Sequence, residues 1–250
     1  MSAKIQISAS IVLYNENIQV LEEAITSFLK VPLLKKLYLI DNSPKRIIID
    51  IFKEEEIEYV FVGKNVGFGA AHNLVINKIK SFSKFHLILN PDVSFKPSVV
   101  VNLSRELENN PQVSLISPRV LYPNGSTQVI CRKTPFFKEM LGRRLGVFNN
   151  YVASKQYQKV SEPFFPDFIH GCFMLFKTDD FISIKGFDER YFLYMEDADI
   201  CRKIKESGKE VLYYPKEQIT HIHRKGSAKK GKLLYYHLVS AIKYFKKWHK

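Results

Sequence analysis

Gly63-Lys64-Asn65-Val66-Gly67-Phe68-Gly69-Ala70-Ala71-His72-Asn73 is a glycine-punctuated loop that runs into a helix. Its neighbours decide the fold. Glu58–Val62 before it reads as a short strand, and Phe85–Leu89 after it as another, ending in Asn90-Pro91-Asp92. Upstream, Ile5–Leu13 alternates and then runs apolar, a strand ending at Tyr14-Asn15. Leu21, Ala24, Ile25, Phe28 and Leu29 share one helical face, which Pro32 closes. Leu37–Ile40 is a buried strand ending in Asp41-Asn42-Ser43-Pro44, and a helical segment follows it. Downstream, Ser98–Glu108 is helical and Val113–Ile116 is a fifth strand.

Strands alternating with helices at this spacing predict an α/β fold with a largely parallel central sheet. Ligands bind such sheets at the carboxyl ends of the strands. Asn15, Asp41, Asn42, Asn65, Asn90 and Asp92 all fall at those ends; any one alone would be a turn signal. The glycine loop is not the dinucleotide fingerprint. That pattern needs a third glycine at position 72 and follows the first strand, not the third. Its glycines still permit close approach of a ligand, and Asn65 and Asn73 are placed to meet a nucleoside or to cap the helix.

The second half is less regular. Pro123-Asn124-Gly125 is a turn, and residues 132–165 read as an insertion, with a short helix over Phe136–Leu145 and a mobile loop over Asn149–Pro163. Ile169–Phe176 and Val211–Tyr214 read as strands, and Phe181–Gly186 as the end of a short helix. Between them, Tyr191-Phe192-Leu193-Tyr194-Met195-Glu196-Asp197-Ala198-Asp199 sets three acids within four residues at a helix start. The helix dipole favours acids there, but a carboxylate beside apolar rings can also take a proton from a hydroxyl.

Asp92 at a strand end can hold a hard divalent cation that clamps a diphosphate. His221 and His223 share one face of a strand, and one can be the second ligand. Gly171 opens a strand where a ligand can approach. Cys172 has only His170 nearby to activate it, which argues against a thiolate nucleophile. His72 and His170 carry no role by spacing and read as ordinary loop or core histidines.

Hydrophobic residues make up 46% of the chain and charged residues 25%, ordinary for a globular protein. Cys131, Cys172 and Cys201 are far apart with no metal-type spacing, and their odd number argues against a disulfide framework and fits a reducing compartment. Neither a signal peptide nor an apolar run of about 18 residues is present, so the expectation is a soluble or peripheral, cytoplasmic protein. The net charge of +13 is uneven: Arg224–Lys250 holds nine Lys/Arg and no acid. In this tail Leu234, Leu238, Ala241, Phe245 and Trp248 form one helical stripe with lysines off it. Such a helix suits an anionic membrane, its first half docked on the domain and its end on lipid, or it packs on the domain alone. Nucleic-acid binding is disfavoured because the basic residues form a terminal cluster without a nucleic-acid module.

In register, Ile11–Asn15, Ile40–Ser43, Asn65–Asn73, Leu89–Val93, Gly171–Leu175, Gly186–Asp199 and His221 resemble the inverting, nucleotide-sugar-dependent family 2 glycosyltransferases of GT-A (Rossmann-like) fold, most closely the bacterial rhamnosyltransferase-like branch. The resemblance implies a GT-A domain over 1–228, with a nucleotide-binding half (1–120) and an acceptor half (121–228), and a basic amphipathic helix over 229–250. It implies that Tyr14, Asn15, Asp41, Asn42, Asn65, Gly67, Asn73, Asn90 and Gly171 bind the nucleotide sugar. Asp92 takes the last position of the family's Asp-x-Asp site for Mg2+ or Mn2+, with His221 as the other ligand; Asn90 stands at the first position. Asp197 matches the catalytic base, and Glu196 places hydroxyls. The implied donor is dTDP-L-rhamnose, with UDP-hexoses as the alternative. The implied acceptor is a polyprenyl-diphosphate-linked glycan of surface polysaccharide (O-antigen or capsule) synthesis, at the inner face of the cell membrane. A non-catalytic sugar-nucleotide or glycan-binding module is the alternative from another class.

Overall fold

The computed structural model describes residues 5–46, 53–80, 83–134, 160–222 and 231–248. The helical segment expected after Pro44 falls partly outside these residues. The helix expected over Phe136–Leu145, most of the 149–163 loop and His223 also lie outside them.

The centre is an eight-stranded sheet in the order β3-β2-β1-β4-β9-β6-β10-β5. Its strands are β1 (Ile5–Leu13), β2 (Lys35–Asp41), β3 (Ile57–Phe61), β4 (Ser83–Leu89), β5 (Val93–Ser94), β6 (Val113–Leu121), β9 (Phe173–Lys177) and β10 (Glu210–His221). A separate ribbon pairs β7 (Cys131–Arg132) with β8 (Phe168–Ile169). The helices are α1 (Ile18–Leu29), α2 (Phe68–Asn73), α3 (Ile76–Ile79), α4 (Pro97–Asn109), α5 (Thr178–Ser183), α6 (Glu196–Glu206) and α7 (Gly231–Trp248).

β1–β4 are mutually parallel, as are β6 and β10, so the expected parallel character holds. The single strand expected over Ile169–Phe176 is instead two. Ile169 ends β8 in the ribbon, His170–Cys172 turn, and β9 runs antiparallel between β4 and β6. This inversion has a consequence for the site. The start of β9 lies at the edge where the parallel strands end, and the Asn90 N–H donates to the Cys172 carbonyl at 2.9 Å. Gly171 therefore reaches the same edge as Asp41 and Asp92 from the opposite chain direction. The order also reverses between β1 and β4, the switch point where an open α/β sheet forms its crevice.

The core is continuous across both faces of the sheet. The odd residues Ile7, Ala9 and Ile11 of β1 face one layer. On the other side Ser8 and Ser10 are also buried, satisfied by His86 and His72. A second cluster joins Tyr191, Met195 and Ala198 to Ala241, Tyr244 and Phe245. The C-terminal helix thus docks through its second half. The sequence expectation had the halves reversed: Leu234 and Leu238 stay exposed, as do Tyr235 and Ile242. Ser240, Ala241, Tyr244 and Phe245 are the buried face.

Candidate active site

Asp197 lies in the first turn of α6, and a strained loop brings it there. Tyr194 and Met195 both adopt left-handed backbone, φ 68° and 70°. Each such residue costs about 1–2 kcal/mol without a glycine, and consecutive cases are held only where surroundings over-determine them. Here α7 supplies the hold. Ser240 donates to the Leu193 carbonyl at 2.9 Å and Lys243 to that of Arg190 at 2.6 Å. The Tyr236 ring stacks on Phe192 and that of His237 meets Tyr194.

From the other side the glycine loop packs on the same segment. A Cβ on Gly67 would sit 2.6 Å from the Phe192 carbonyl oxygen, and one on Gly69 2.7 Å from Phe187 Cβ. These glycines admit the chain's own acidic loop, where the sequence suggested a ligand. Asn73 is committed in the same way: its amide accepts from Phe187 N–H at 2.9 Å and donates to the Phe187 carbonyl at 2.8 Å and to Glu189. Its observed task is to clamp the loop that carries Glu196 and Asp197.

The two acids of the pair differ. Asp197 keeps 17% of its side chain exposed, and its Oδ2 lies 3.0 Å from His170 Nδ1. Gly171 sits beside it, so that a Cβ there would touch both Asp197 Cβ and Phe68. Glu196 is buried and its Oε2 has no hydrogen-bond partner. Burial, and then the charge of Asp197, pushes its carboxyl up to about 8.

Asp92 and His221 meet where β10 pairs with β5: His221 Nε2 is 3.2 Å from Asp92 Oδ1. Gln128, to which sequence assigned nothing, fixes the ring. Its Nε2 donates to the carbonyls of Leu121 (3.1 Å) and His221 (2.7 Å), so its Oε1 faces His221 Nδ1 at 3.0 Å. Nδ1 must then carry the proton, which directs Nε2 toward Asp92. Burial opposes charge on His221, but hydrogen bonding to Asp92 and Cys172 outweighs it and raises the group to about 10. The donor set fits a hard divalent cation once Nε2 gives up the proton it shares with Asp92, since a ligating histidine must be neutral. It then offers one carboxylate oxygen and one oriented imidazole nitrogen, leaving most coordination positions for phosphate and water. Among the described residues no group of three or more His, Cys, Asp or Glu is placed to hold a metal alone.

At the other strand ends, Asn42 donates to the Gly67 carbonyl at 3.1 Å, and Asn65 Oδ1 accepts from Gly67 N–H at 3.0 Å. The buried Asn42 Oδ1 has no partner. Asp41 is fully buried, bonded by the Tyr59 hydroxyl and by Ser43 N–H. Asn15, at φ 53°, donates its N–H to Ser43 Oγ, and Tyr14 stands exposed beside it. Asn42, Asn65 and Gly67 are thus one cluster, and Asn15 and Asp41 join through Ser43. Asn90 and Gly171 flank Cys172 at the centre. A cavity of about 430 Å³ lined by Lys133, Thr134, Asp167, Arg202 and Tyr244 touches none of these acids, so its size does not make it the site.

His170, to which the sequence assigns no role, is the neighbour of Asp197 across the fold. It stands 27 positions from Asp197, and its one signal was its place before Gly171.

A profile described as N-terminal domain of galactosyltransferase matches residues 154–225. An N-acetylglucosaminyl-diphospho-decaprenol L-rhamnosyltransferase of Mycobacterium tuberculosis is 25% identical over 173 residues, 64% of this chain and 56% of the relative. The chain therefore spans little more than half of that protein. Rhamnosyltransferase WbbL of Escherichia coli is 24% identical over 219 residues, 84% of this chain and 81% of the relative. Among solved structures, GalNAc-T7 with UDP, GalNAc and Mn2+ superposes with a TM-score of 0.66 at 16% identity, over 96% of this chain and 49% of that one. This likeness shows the GT-A fold. The profile of glycosyl transferase family 2 matches residues 8–181, and with the strand-end clusters and acidic loop in that register, the chain belongs to glycosyl transferase family 2.

Proposed function

We propose that the protein is an inverting glycosyltransferase that moves L-rhamnose from dTDP-L-rhamnose to a hydroxyl of a lipid-linked glycan. The observation that carries this is Asp197: a partly exposed carboxylate at a helix start, beside Gly171, whose neighbour Cys172 bonds to both the Asn90 and the His221 side of the site. A sugar nucleotide already has a good leaving group. The protein must orient the donor, deprotonate the acceptor and receive the departing diphosphate's charge. Asp197 Oδ2 takes the acceptor proton as the hydroxyl oxygen attacks the anomeric carbon from the face opposite the diphosphate. The configuration inverts. A positioned base of this kind contributes roughly 10²–10⁴-fold. Mg2+ or Mn2+, held by Asp92 and His221, would supply positive charge at the diphosphate. Glu196, next to the base, helps to place donor or acceptor hydroxyls. Asn15, Asp41, Asn42 and Asn65 line the nucleoside end with Tyr14.

The names of the mycobacterial and Escherichia coli relatives favour rhamnose and, in the first case, a diphospholipid acceptor. The galactosyltransferase profile favours a UDP-hexose as the second reading. Among the described residues no helix is long and apolar enough to cross a membrane. The exposed face of α7, with Leu234, Tyr235, Leu238 and Ile242, is flanked by Lys232 and Lys246 and suits the surface of an anionic membrane at its inner face.

Thermal shift and product release with dTDP-L-rhamnose, UDP-galactose and UDP-GlcNAc, with and without Mn2+, decide among these. Stabilisation and dTDP release with dTDP-L-rhamnose support the first reading, and a UDP-sugar preference supports the second. Binding without turnover, unchanged by Asp197→Asn, leaves neither.

A further inference from the structure

The ribbon β7–β8 lies apart from the main sheet, yet it delivers two side chains toward Asp197. Pairing of Cys131 with Ile169 and of Arg132 with Phe168 fixes its register. The His170 N–H donates to the Ile130 carbonyl at 3.0 Å, which continues the ladder by one residue. Arg132 Nε then donates to His170 Nε2 at 3.2 Å, and His170 Nδ1 lies 3.0 Å from Asp197 Oδ2. A guanidinium has only donors, so Nε2 must present its lone pair. The imidazole is therefore neutral and its proton is on Nδ1, directed at the carboxylate. A second proton on Nε2 would place two donors and two positive charges against each other.

We infer that His170 is a positioning residue for Asp197, held in its Nδ1–H tautomer by Arg132. This rests on the assignment of Asp197 as the base. Asp197 Oδ1 already accepts from Ala198 N–H at 2.8 Å. With Oδ2 held by His170, both rotational freedoms of the carboxylate are removed. Each oxygen keeps a further lone pair, and the partly exposed side is left for an incoming hydroxyl. A neutral donor does this without the cost of a cation, which would weaken the base by stabilising its charged form.

Two measurements test this. Histidine ¹⁵N chemical shifts read the tautomer directly, with no substrate. In the wild type, His170 should show a protonated Nδ1 and an unprotonated Nε2, and Arg132→Met should return it to a mixture. A dominant Nε2–H form, or no change in Arg132→Met, overturns the proposal. The second is turnover of dTDP-L-rhamnose, or of the UDP-sugar that binds best, with an N-acetylglucosaminyl-diphospho-polyprenol acceptor. His170→Ala should lower kcat roughly 10- to 100-fold with donor KM nearly unchanged. His170→Asn, whose amide overlays Nδ1, should recover most of the loss, whereas His170→Gln, which overlays Nε2, should not. Adding Arg132→Met to His170→Asn should cost nothing further. Equal losses in all three His170 variants, or no loss in any, sink the positioning role. Asp197→Asn separates this from the base assignment. If it retains turnover, the base assignment fails and takes the inference with it. If it is inactive while His170→Ala is fully active, the inference alone fails.

Discussion

Asp199 and Lys247 are 48 residues apart and meet at 2.7 Å. Asp199 is wholly buried, and it also accepts from the Tyr191 hydroxyl (3.1 Å) and from Trp248 Nε1 (2.7 Å). Arg202 and Lys247 both lie 4.6 Å from the Trp248 ring. The third acid of the stretch is therefore the socket for the C-terminal helix, and the helix in turn holds the left-handed residues before Glu196. Removing one partner of a buried pair strands the other, at about 3–5 kcal/mol. Asp199→Ala should cost that much in urea unfolding. Lys247→Met should cost less, because two donors remain on the carboxylate. An Asp199→Ala variant within 1 kcal/mol of wild type would show the helix to be loosely attached.

Two glycines with left-handed backbone, one leading into the acidic loop and one in the Pro123–Gly125 turn, make a graded test. Gly186 has φ +55°, and a Cβ there would lie 2.3 Å from Asn73 Oδ1. Gly125 has φ +80° but open space around it. Gly125→Ala should cost only the left-handed penalty, about 1–2 kcal/mol. Gly186→Ala should cost clearly more, because the Asn73 clamp must also break. Equal losses in chemical denaturation would mean that Asn73 yields freely.

The strand–helix alternation was legible because periodicity encodes burial, and burial places each strand. Direction is not encoded. Phe173–Lys177 is an apolar run whichever way it points, so its antiparallel insertion between β4 and β6 could not be read. The apolar pattern of β10 covers only Val211–Tyr214, and Pro215-Lys216-Glu217 interrupts it. The strand passes through them by a register shift and so carries His221 to Val93. Asp92 and His221 were legible as metal-ligand types, since both stand at strand ends. Gln128 and His170 were not, because their roles come from what they face across the fold. The tail illustrates the same limit. Its stripe was visible, but Leu234 and Leu238 lie on the exposed side because the docking face is rotated toward Tyr244.

That exposed side gives the membrane proposal a local test. Deleting the whole tail would unpair Asp199 and confuse lipid binding with folding. Leu234→Glu with Leu238→Glu leaves the docked half intact. The double variant should keep the wild-type melting temperature and lose binding to vesicles containing phosphatidylglycerol. Unchanged vesicle binding would assign the face to something other than lipid.

Gln128 should act on metal affinity through His221. Loss of an outer partner to a ligating histidine costs roughly 10–100-fold in affinity. Gln128→Leu should therefore weaken Mn2+ binding, followed by electron paramagnetic resonance with dTDP present, by about that factor. Gln128→Glu can still accept from Nδ1 and should bind Mn2+ more tightly than the leucine variant. Identical affinities in all three would remove the pair from the metal site.

Acid sensitivity should come partly from a buried chain behind the site. His72 Nδ1 lies 2.7 Å from Ser10 Oγ, Ser10 Oγ 3.0 Å from His86 Nε2, and His86 Nδ1 2.7 Å from Ser8 Oγ. One proton order satisfies every contact: His72 Nδ1–H to Ser10, Ser10 O–H to His86 Nε2, and His86 Nδ1–H to Ser8. It leaves only the lone pair of His72 Nε2 without a partner. Burial holds both rings neutral, moving His86 down to about 3 and His72 well below its usual value. The sign follows from linkage. Above the unfolded value of about 6.5 neither state binds these protons and their stability is fully present. As pH falls from there toward 3, the unfolded chain takes up protons that the folded chain refuses. Each histidine then removes roughly 1.4 kcal/mol per pH unit. His86→Gln keeps hydrogen-bonding capacity but cannot ionise. It should be less stable than wild type at pH 8, and the gap should narrow between pH 6 and 4 in urea titrations. A gap independent of pH would mean that His86 takes up its proton equally in the folded and unfolded chain, so that burial does not hold it neutral.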